Sequence, residues 1–431
     1  MSKLKASFFW FRRDLRLEDN VGLFHALQSS FPVIPLFIFD DAILESLPKD
    51  DARVGFIYDS LSKINKELLG IESALLIRKG KTLDVWKSLI KEFDIQKVFC
   101  NKDYEPYAIE RDLSIAIVLK EQKIAFQSFK DQVIFEENEI TKADGLPYTV
   151  YTPYKNKWLE KLHASTELTP YKTKDYYSNF YRITFSFPSL EALGFIISKI
   201  KVKPYNLTHI KNYHETRDFP ALDSTSYLSP HLRFGTISIR KLVTWASSTN
   251  PVFLSELIWR EFFMQILFHF PKVVTQNFKS AYDGIQWRNN EADFEKWCSG
   301  NTGYPMVDAG MRELNATGYM HNRVRMVVAS FLCKHLLISW QWGEAYFAQK
   351  LLDYDLSANV GNWQWAAGTG CDAAPYFRVF NPEIQLKKFD EKGIYIRKWI
   401  PEFDLGYVAP MVDHAFARDR AIATYKAGII K

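Results

Sequence analysis

Glu256, Trp259, Arg260 and Phe263 fall at i, i+3, i+4 and i+7 of an apolar run, so a helix there sets a carboxylate, an indole and a guanidinium on one face. A carboxylate among Leu257, Ile258, Phe262 and Phe263 is either solvated near the helix N-terminus or turned into a polar cavity. Because Asp and Glu are seldom buried unpaired, the sequence alone favours the solvated place. In MHNRVRM, Asn322, Arg325 and Met326 share a second face and Arg323 points elsewhere. A third segment, LLDYDLSANVGNWQWAAGTG, carries Asp353, Asp355, Asn359, Trp363 and Trp365. Asp355 taken singly reads as a helix cap. Together, two carboxylates, an amide, an arginine pair and paired tryptophans exceed what surface and cap positions require, and they offer acceptors, cations and flat indole faces for binding. Cys100, Cys298, Cys333 and Cys371 are far apart, with no CxxC pair and no close Cys/His set. That spacing argues against a disulfide framework or structural zinc and fits a reducing compartment.

The elements that hold these residues follow from periodicity. At 431 residues the chain exceeds one typical core, so two domains are expected. Short apolar runs at Ser7–Phe11, Val33–Phe39, Ala74–Arg78, Lys97–Cys100 and Ile124–Phe129 alternate with helical patterns. The alternation implies a Rossmann-like α/β domain, its parallel sheet covered on both faces. No GxGxxG follows the first strand, so the dinucleotide fingerprint is missing. Residues 131–194, with Gly145, Pro147, Pro153, Pro170 and Pro188, read as a connector holding one short helix at Lys155–His163. From about residue 195 the pattern is helical almost throughout, an all-α half. Within it Asn250 suits a cap, Pro251 the first helical position, and an apolar run continues to Phe270. The expected domains are thus 1–130, α/β; 131–194, connector; and 195–431, helical.

Hydrophobic residues at 47% and charged residues at 24% exclude a disordered or fibrous chain. Nine of the twelve tryptophans lie after residue 240, which suggests two halves with different tasks. The net charge of +5 does not single out nucleic acid, and the eleven Lys/Arg against six Asp/Glu in 141–215 read first as a solvated connector. No segment approaches the roughly 20 apolar residues of a membrane helix, and the N-terminal apolar stretch is too short for a signal peptide. A cytoplasmic protein without membrane attachment is expected.

Six strings in order match a known family: WFRRDLRLEDN (10–20), RDFPALDSTSYLSPHLRFG (217–235), ELIWREFF (256–263), TGYPMVDAGMREL (302–314), GYMHNRVRM (318–326) and DLSANVGNWQWAAGTGCDAAPYFRVFNP (355–382). Over nearly its whole length the chain resembles the DNA photolyases of the cryptochrome/photolyase superfamily, and is most similar to the class I cyclobutane pyrimidine dimer enzymes. The resemblance implies an α/β antenna domain and a helical, FAD-binding catalytic domain. It implies FAD, active as FADH−, with Tyr213, Thr225, Ser226, Tyr227, Leu228 and Ser229 around the phosphates and Asp353 and Asp355 near the ribityl and isoalloxazine groups. Asn359 would stand beside flavin N5, and Arg325 and Asp353 would form a salt bridge lining the ring. Hydroxyls and backbone N–H groups suit phosphate oxygens, and a carboxylate suits the flavin N3–H. Tyr227 stands where several relatives carry arginine, so that position lacks a charge for the pyrophosphate.

The implied substrate is UV-damaged DNA, with a thymine dimer flipped out of the duplex and sandwiched by Trp259 and Trp365. Glu256 would hydrogen-bond the thymine edge, Asn322 and Met326 would line the pocket, and Arg217, Arg323 and Gln385 would contact the DNA. The implied reaction is light-driven: excited FADH− gives one electron to the dimer, the ring opens and the electron returns, with no protein nucleophile and no metal. Trp363, Trp340 and Trp287 match a tryptophan chain that photoreduces oxidised flavin, though no helical period links them. MHNR at 320–323, where (6-4) photolyases typically show a His-His pair, both cradle tryptophans, and an end at Lys431 favour dimer repair. A (6-4) photolyase or a cryptochrome-type blue-light photoreceptor is the alternative. A monomer without an obligate protein partner is expected. For an antenna chromophore, methenyltetrahydrofolate, a deazaflavin or none stay open: Glu105 matches a folate-contacting carboxylate, but the expected lysine is Thr275. After Pro401 the segment PEFDLGYVAPMVDH is shorter by a loop than in relatives.

Overall fold

The computed structural model describes residues 3–429. Strands β1 (Lys5–Phe11), β2 (Val33–Asp40), β3 (Leu76–Gly80), β4 (Asp94–Asn101) and β5 (Ala125–Phe129) form one parallel sheet in the order β3-β2-β1-β4-β5. All five expected strands are present. β1 shows no polar alternation because both of its faces are covered. Phe9 and Phe11 enter one apolar cluster with Leu23 and Leu61, while Phe8 and Trp10 enter another with Trp86 and Leu89.

The chain divides into two compact units. The α/β unit takes the residues up to Ile140 with Trp158–Pro204 and Leu228–Ser248; the helical unit takes Thr141–Lys157, Tyr205–Tyr227 and the chain from Thr249 onward. Within the α/β unit a buried ion network ties the later segments to the sheet. Asp131 accepts from Arg16 at 2.7 Å and from Arg240 at 2.8 Å, and Asp19 accepts from Arg240 at 3.0 Å. Such a network fixes geometry more than it adds stability.

The helical pattern begins later than the sequence suggests. Residues 181–207 form no helix or strand, and only 3-10 pieces and the single α-helical turn Tyr213–Thr216 lie between there and Leu228. Pro204 and Pro220 interrupt any helix there, and Asp223 (φ 41°) and Tyr227 (φ 53°) take left-handed conformations.

In the helical unit Asn250 caps the Pro251–His269 helix, its side chain accepting from Val252 N at 3.0 Å and Phe253 N at 3.1 Å. That helix closes onto the Leu356–Ala367 helix at a glycine. A Cβ on Gly361 would lie 2.2 Å from Cδ1 of Phe263, and one on Gly343 would lie 2.1 Å from Cη2 of Trp363. Two missing methyl groups therefore let helices carrying Glu256, Trp340 and Asn359 approach. Gly361→Val is expected to lower the urea midpoint, since overpacking a filled contact costs roughly 1–3 kcal/mol. A midpoint equal to the wild type's would mean that Phe263 turns aside freely.

Candidate functional site

The capped start of the Pro251–His269 helix sets its register and leaves Glu256 and Trp259 half-buried, one turn apart. Glu256 accepts from Arg217 Nη1 at 2.7 Å. This corrects the solvated place favoured by the sequence, because the partner comes from 39 residues upstream, beyond any helical period. Burial raises the Glu256 pKa above the ordinary carboxylate value, and Arg217 pulls it down only in part. The Arg217 guanidinium lies 5.2 Å from the ring centroid of Tyr213, which meets Phe253 edge-on at 5.3 Å. Tyr213 thus stands beside the Glu256–Arg217 pair. Trp259 stacks on Tyr151 with centroids 3.6 Å apart and planes 9° from parallel.

Asp355 caps the Leu356–Ala367 helix, accepting from Ala358 N at 3.3 Å and from the Ser357 hydroxyl. One turn in, Asn359 Nδ2 donates to the Glu344 carbonyl at 3.1 Å and to its Oε1 at 2.8 Å. With the amide hydrogens so engaged, Oδ1 is left as an acceptor turned away from Glu344. Arg325 Nη2 bonds Asp353 Oδ2 at 2.9 Å, and Arg325 Nε donates to Met320 O at 2.8 Å. Asp353 Oδ1 is buried with no hydrogen-bond partner among the described residues. Buried acceptors are rarely left so, and a ring N–H donor is the kind of group that satisfies one. Trp363 lies buried against Phe347 at 4.9 Å and Trp297 at 6.1 Å. Trp340 shares that apolar core and donates to Asn277 Oδ1 at 2.9 Å, while Trp287 and Trp365 pack against the core half-buried.

The remaining positions are spread more widely. Asn322 is exposed at the start of the Asn322–Ser330 helix and Met326 half-buried one turn on. Arg323 Nη2 is held by Asp218 at 2.7 Å and its guanidinium lies 4.4 Å from the Phe389 centroid, one turn beyond half-buried Gln385. His321 caps the same helix, its Nδ1 accepting from Arg323 N at 3.2 Å, and burial lowers its pKa to about 4. Thr225, Ser226 and Tyr227 lie in an irregular segment, where Ser226 O accepts from Asn206 N at 2.8 Å and the Tyr227 hydroxyl bonds Asp223. In the α/β unit, Leu228 and Ser229 open the Leu228–Arg233 helix, Leu228 buried and Ser229 exposed. Glu105 there accepts from Arg13 and Arg233, each at 2.8 Å, and Thr275 of the helical unit is exposed and uncharged. The antenna chromophore is left unassigned by both. The short segment after Pro401 is braced on the TGYPMVDAG stretch: Tyr407 bonds Asp308, Met411 N donates to Thr302 O at 2.9 Å, and Tyr304 donates to Val412 O at 2.7 Å.

Sequence reasoning missed Glu344, which orients Asn359, and Asp218, which holds Arg323; neither sits in a run whose period marks it. It also missed Tyr151, inside the connector. Among the described residues the cysteines are free, no group of His, Cys, Asp and Glu is arranged for a metal ion, and no helix is long and apolar enough to cross a membrane.

Comparison with known proteins gives two domain matches: residues 7–173 match DNA photolyase, and residues 253–405 match the FAD binding domain of DNA photolyase. The deoxyribodipyrimidine photo-lyase of Agrobacterium fabrum is 36% identical, covering 97% of each chain. The chain belongs to the DNA photolyase family. The Escherichia coli deoxyribodipyrimidine photo-lyase is 35% identical over 97% of this chain and 98% of its own. A bacterial class III photolyase from Agrobacterium tumefaciens superposes with a TM-score of 0.88 at 34% identity, covering 99% of this chain and 98% of that one. An archaeal photolyase from Sulfolobus tokodaii, solved with two FAD molecules, gives 0.86 at 34% identity, covering 98% and 100%. A Synechocystis cryptochrome at 24% identity and a TM-score of 0.83 shares the fold. This photolyase family member carries FAD as its cofactor, and the orphan Asp353 Oδ1 and the oriented Asn359 Oδ1 suit a ring with N–H donors.

Arg217 favours the Glu256 anion, so Arg217→Gln is expected to raise the Glu256 pKa further and keep the neutral acid to higher pH. Infrared difference spectra against Glu256→Gln would show the carboxylic C=O band surviving to higher pH than in wild type. A band lost at lower pH would contradict the pairing.

Proposed function

We propose that the chain repairs cyclobutane pyrimidine dimers in UV-damaged DNA by light-driven electron transfer. The observation that carries this reading is the junction at Gly361, where the helix bearing Glu256 and Trp259 closes onto the helix bearing Asn359 and Trp365. Trp259 and Trp365 sandwich the flipped dimer, each stack worth about 1–3 kcal/mol per base. A distorted lesion lowers the few kcal/mol that unstacking costs, so that lower cost supplies the preference for damaged DNA and the indoles hold what is flipped out.

When bound and reduced, FAD supplies the photoexcited electron donor. Asn359, fixed by Glu344, and Asp353, steadied by Arg325, would hold the flavin ring as acceptors for its N–H groups. Within the helical unit, Tyr213, Thr225, Ser226, Tyr227 and Asp355 would serve the rest of the cofactor. Glu256 holds a proton at the thymine edge and shares it with the dimer as negative charge develops there; in a site that excludes water such a bond is stronger than in solution. Its raised pKa suits that donor form. Trp363 and Trp340, buried in one apolar core with Trp287 packed against it, would serve as the indoles through which bound FAD could be re-reduced. Arg217, Arg323 and Gln385 contact the DNA with Asn322 and Met326 lining the pocket, and both arginines exchange a carboxylate partner for phosphate on binding.

The lone histidine of MHNR at 320–323, where (6-4) photolyases typically show a His-His pair, supports a cyclobutane over a (6-4) substrate. The test is to illuminate the reduced holoprotein on oligonucleotides carrying one cyclobutane thymine dimer or one (6-4) product and to follow thymine absorbance at the lesion. Recovery is expected on the cyclobutane strand alone, and Glu256→Ala should lower its yield far more than its dimer affinity. Recovery only on the (6-4) strand, or on neither, would overturn the proposal.

A further inference from the structure

We infer that Tyr151 is a positioning residue for Trp259, holding the plane of the indole before the lesion arrives; this rests on the dimer cradle proposed above. The Tyr151 ring lies 3.6 Å from Trp259 and nearly parallel to it, yet Tyr151 is only 7% exposed. A tyrosine standing in an open cavity would itself be exposed, so this ring is a back plate. Trp259 itself stays half-buried, with Phe263 tilted against it at 5.4 Å. Phe262 closes the corner, edge-on to Tyr151 at 5.8 Å and to Trp259 at 5.5 Å.

The polar atoms of Tyr151 hold the plate in place. Its hydroxyl donates to the Ser255 carbonyl at 2.7 Å and lies 2.6 Å from Ser255 Oγ, one turn before Trp259 on the same helix. Its backbone N–H donates to Asp372 Oδ2 at 3.1 Å, in the segment that follows Trp365. One residue therefore joins both sides of the cradle. An indole already held in its bound plane loses less freedom when a base stacks on it, and that saving appears as affinity.

The test is a binding cycle on the FAD-loaded protein in the dark, using duplexes with and without one cyclobutane thymine dimer. Tyr151→Leu should weaken dimer binding on the order of tenfold, the scale of one lost stack, with undamaged-duplex affinity and the flavin spectrum unchanged. Tyr151→Phe keeps the ring and should restore most of that affinity. In a Trp259→Ala background, Tyr151→Leu should have little further effect. Equal weakening on both duplexes, or additive losses in the cycle, would overturn the inference. Wild-type dimer affinity in Trp259→Ala alone would instead sink the cradle on which it rests. If Tyr151→Leu does not fold, Tyr151→Met takes its place in the cycle with the same expectations.

Discussion

The contact between Phe263 and Gly361 sets the spacing on which the rest of the helical unit depends. A helix normally keeps its neighbours about 8–10 Å away, axis to axis, by the thickness of its side chains. Here a residue without a side chain accepts a phenyl ring into that space. Asn359 and Trp365 belong to one of the joined helices and Glu256 and Trp259 to the other, so the glycine determines how those four groups can converge. Gly343 repeats the device against Trp363, which draws the Trp340 helix into the same core.

Around this core, polar side chains are placed by partners rather than by exposure. Glu344 turns the Asn359 amide, Arg325 holds Asp353, Asp218 holds Arg323 and Arg217 holds Glu256. Each pairing fixes which atom is left to act, so donors and acceptors are set before any ligand binds. A preorganised set of dipoles of this kind is where electrostatic assistance to a reaction comes from. Glu256 shows the balance involved: burial favours the acid, Arg217 favours the anion, and burial wins.

Much of this was legible in the chain. The uninterrupted apolar runs of β1 and β2 announced a covered parallel sheet, and Asn250-Pro251 announced the start of the helix that carries Glu256. The strings around Glu256, Asn322 and Asp355 pointed to the family. What was illegible depends on long-range pairing. Arg217 meets Glu256 and Tyr151 meets Trp259 across loops, and periodicity is silent on which loop returns to which helix. The helical pattern expected from about residue 195 starts later, since Pro204, Pro220 and the left-handed residues Asp223 and Tyr227 break up the stretch before Leu228.

If the two helices closed on Gly361 take a dimer out of the duplex and into a cradle of two indoles, the base opposite the dimer is left without its stacking partners. The most direct measurement is the fluorescence of 2-aminopurine placed opposite a cyclobutane thymine dimer, followed in the dark as the FAD-loaded protein is titrated in. An unstacked partner base fluoresces more strongly, so a rise that saturates with binding and is lost in Trp259→Ala is expected. Tight, dimer-selective binding with no rise in fluorescence would contradict it.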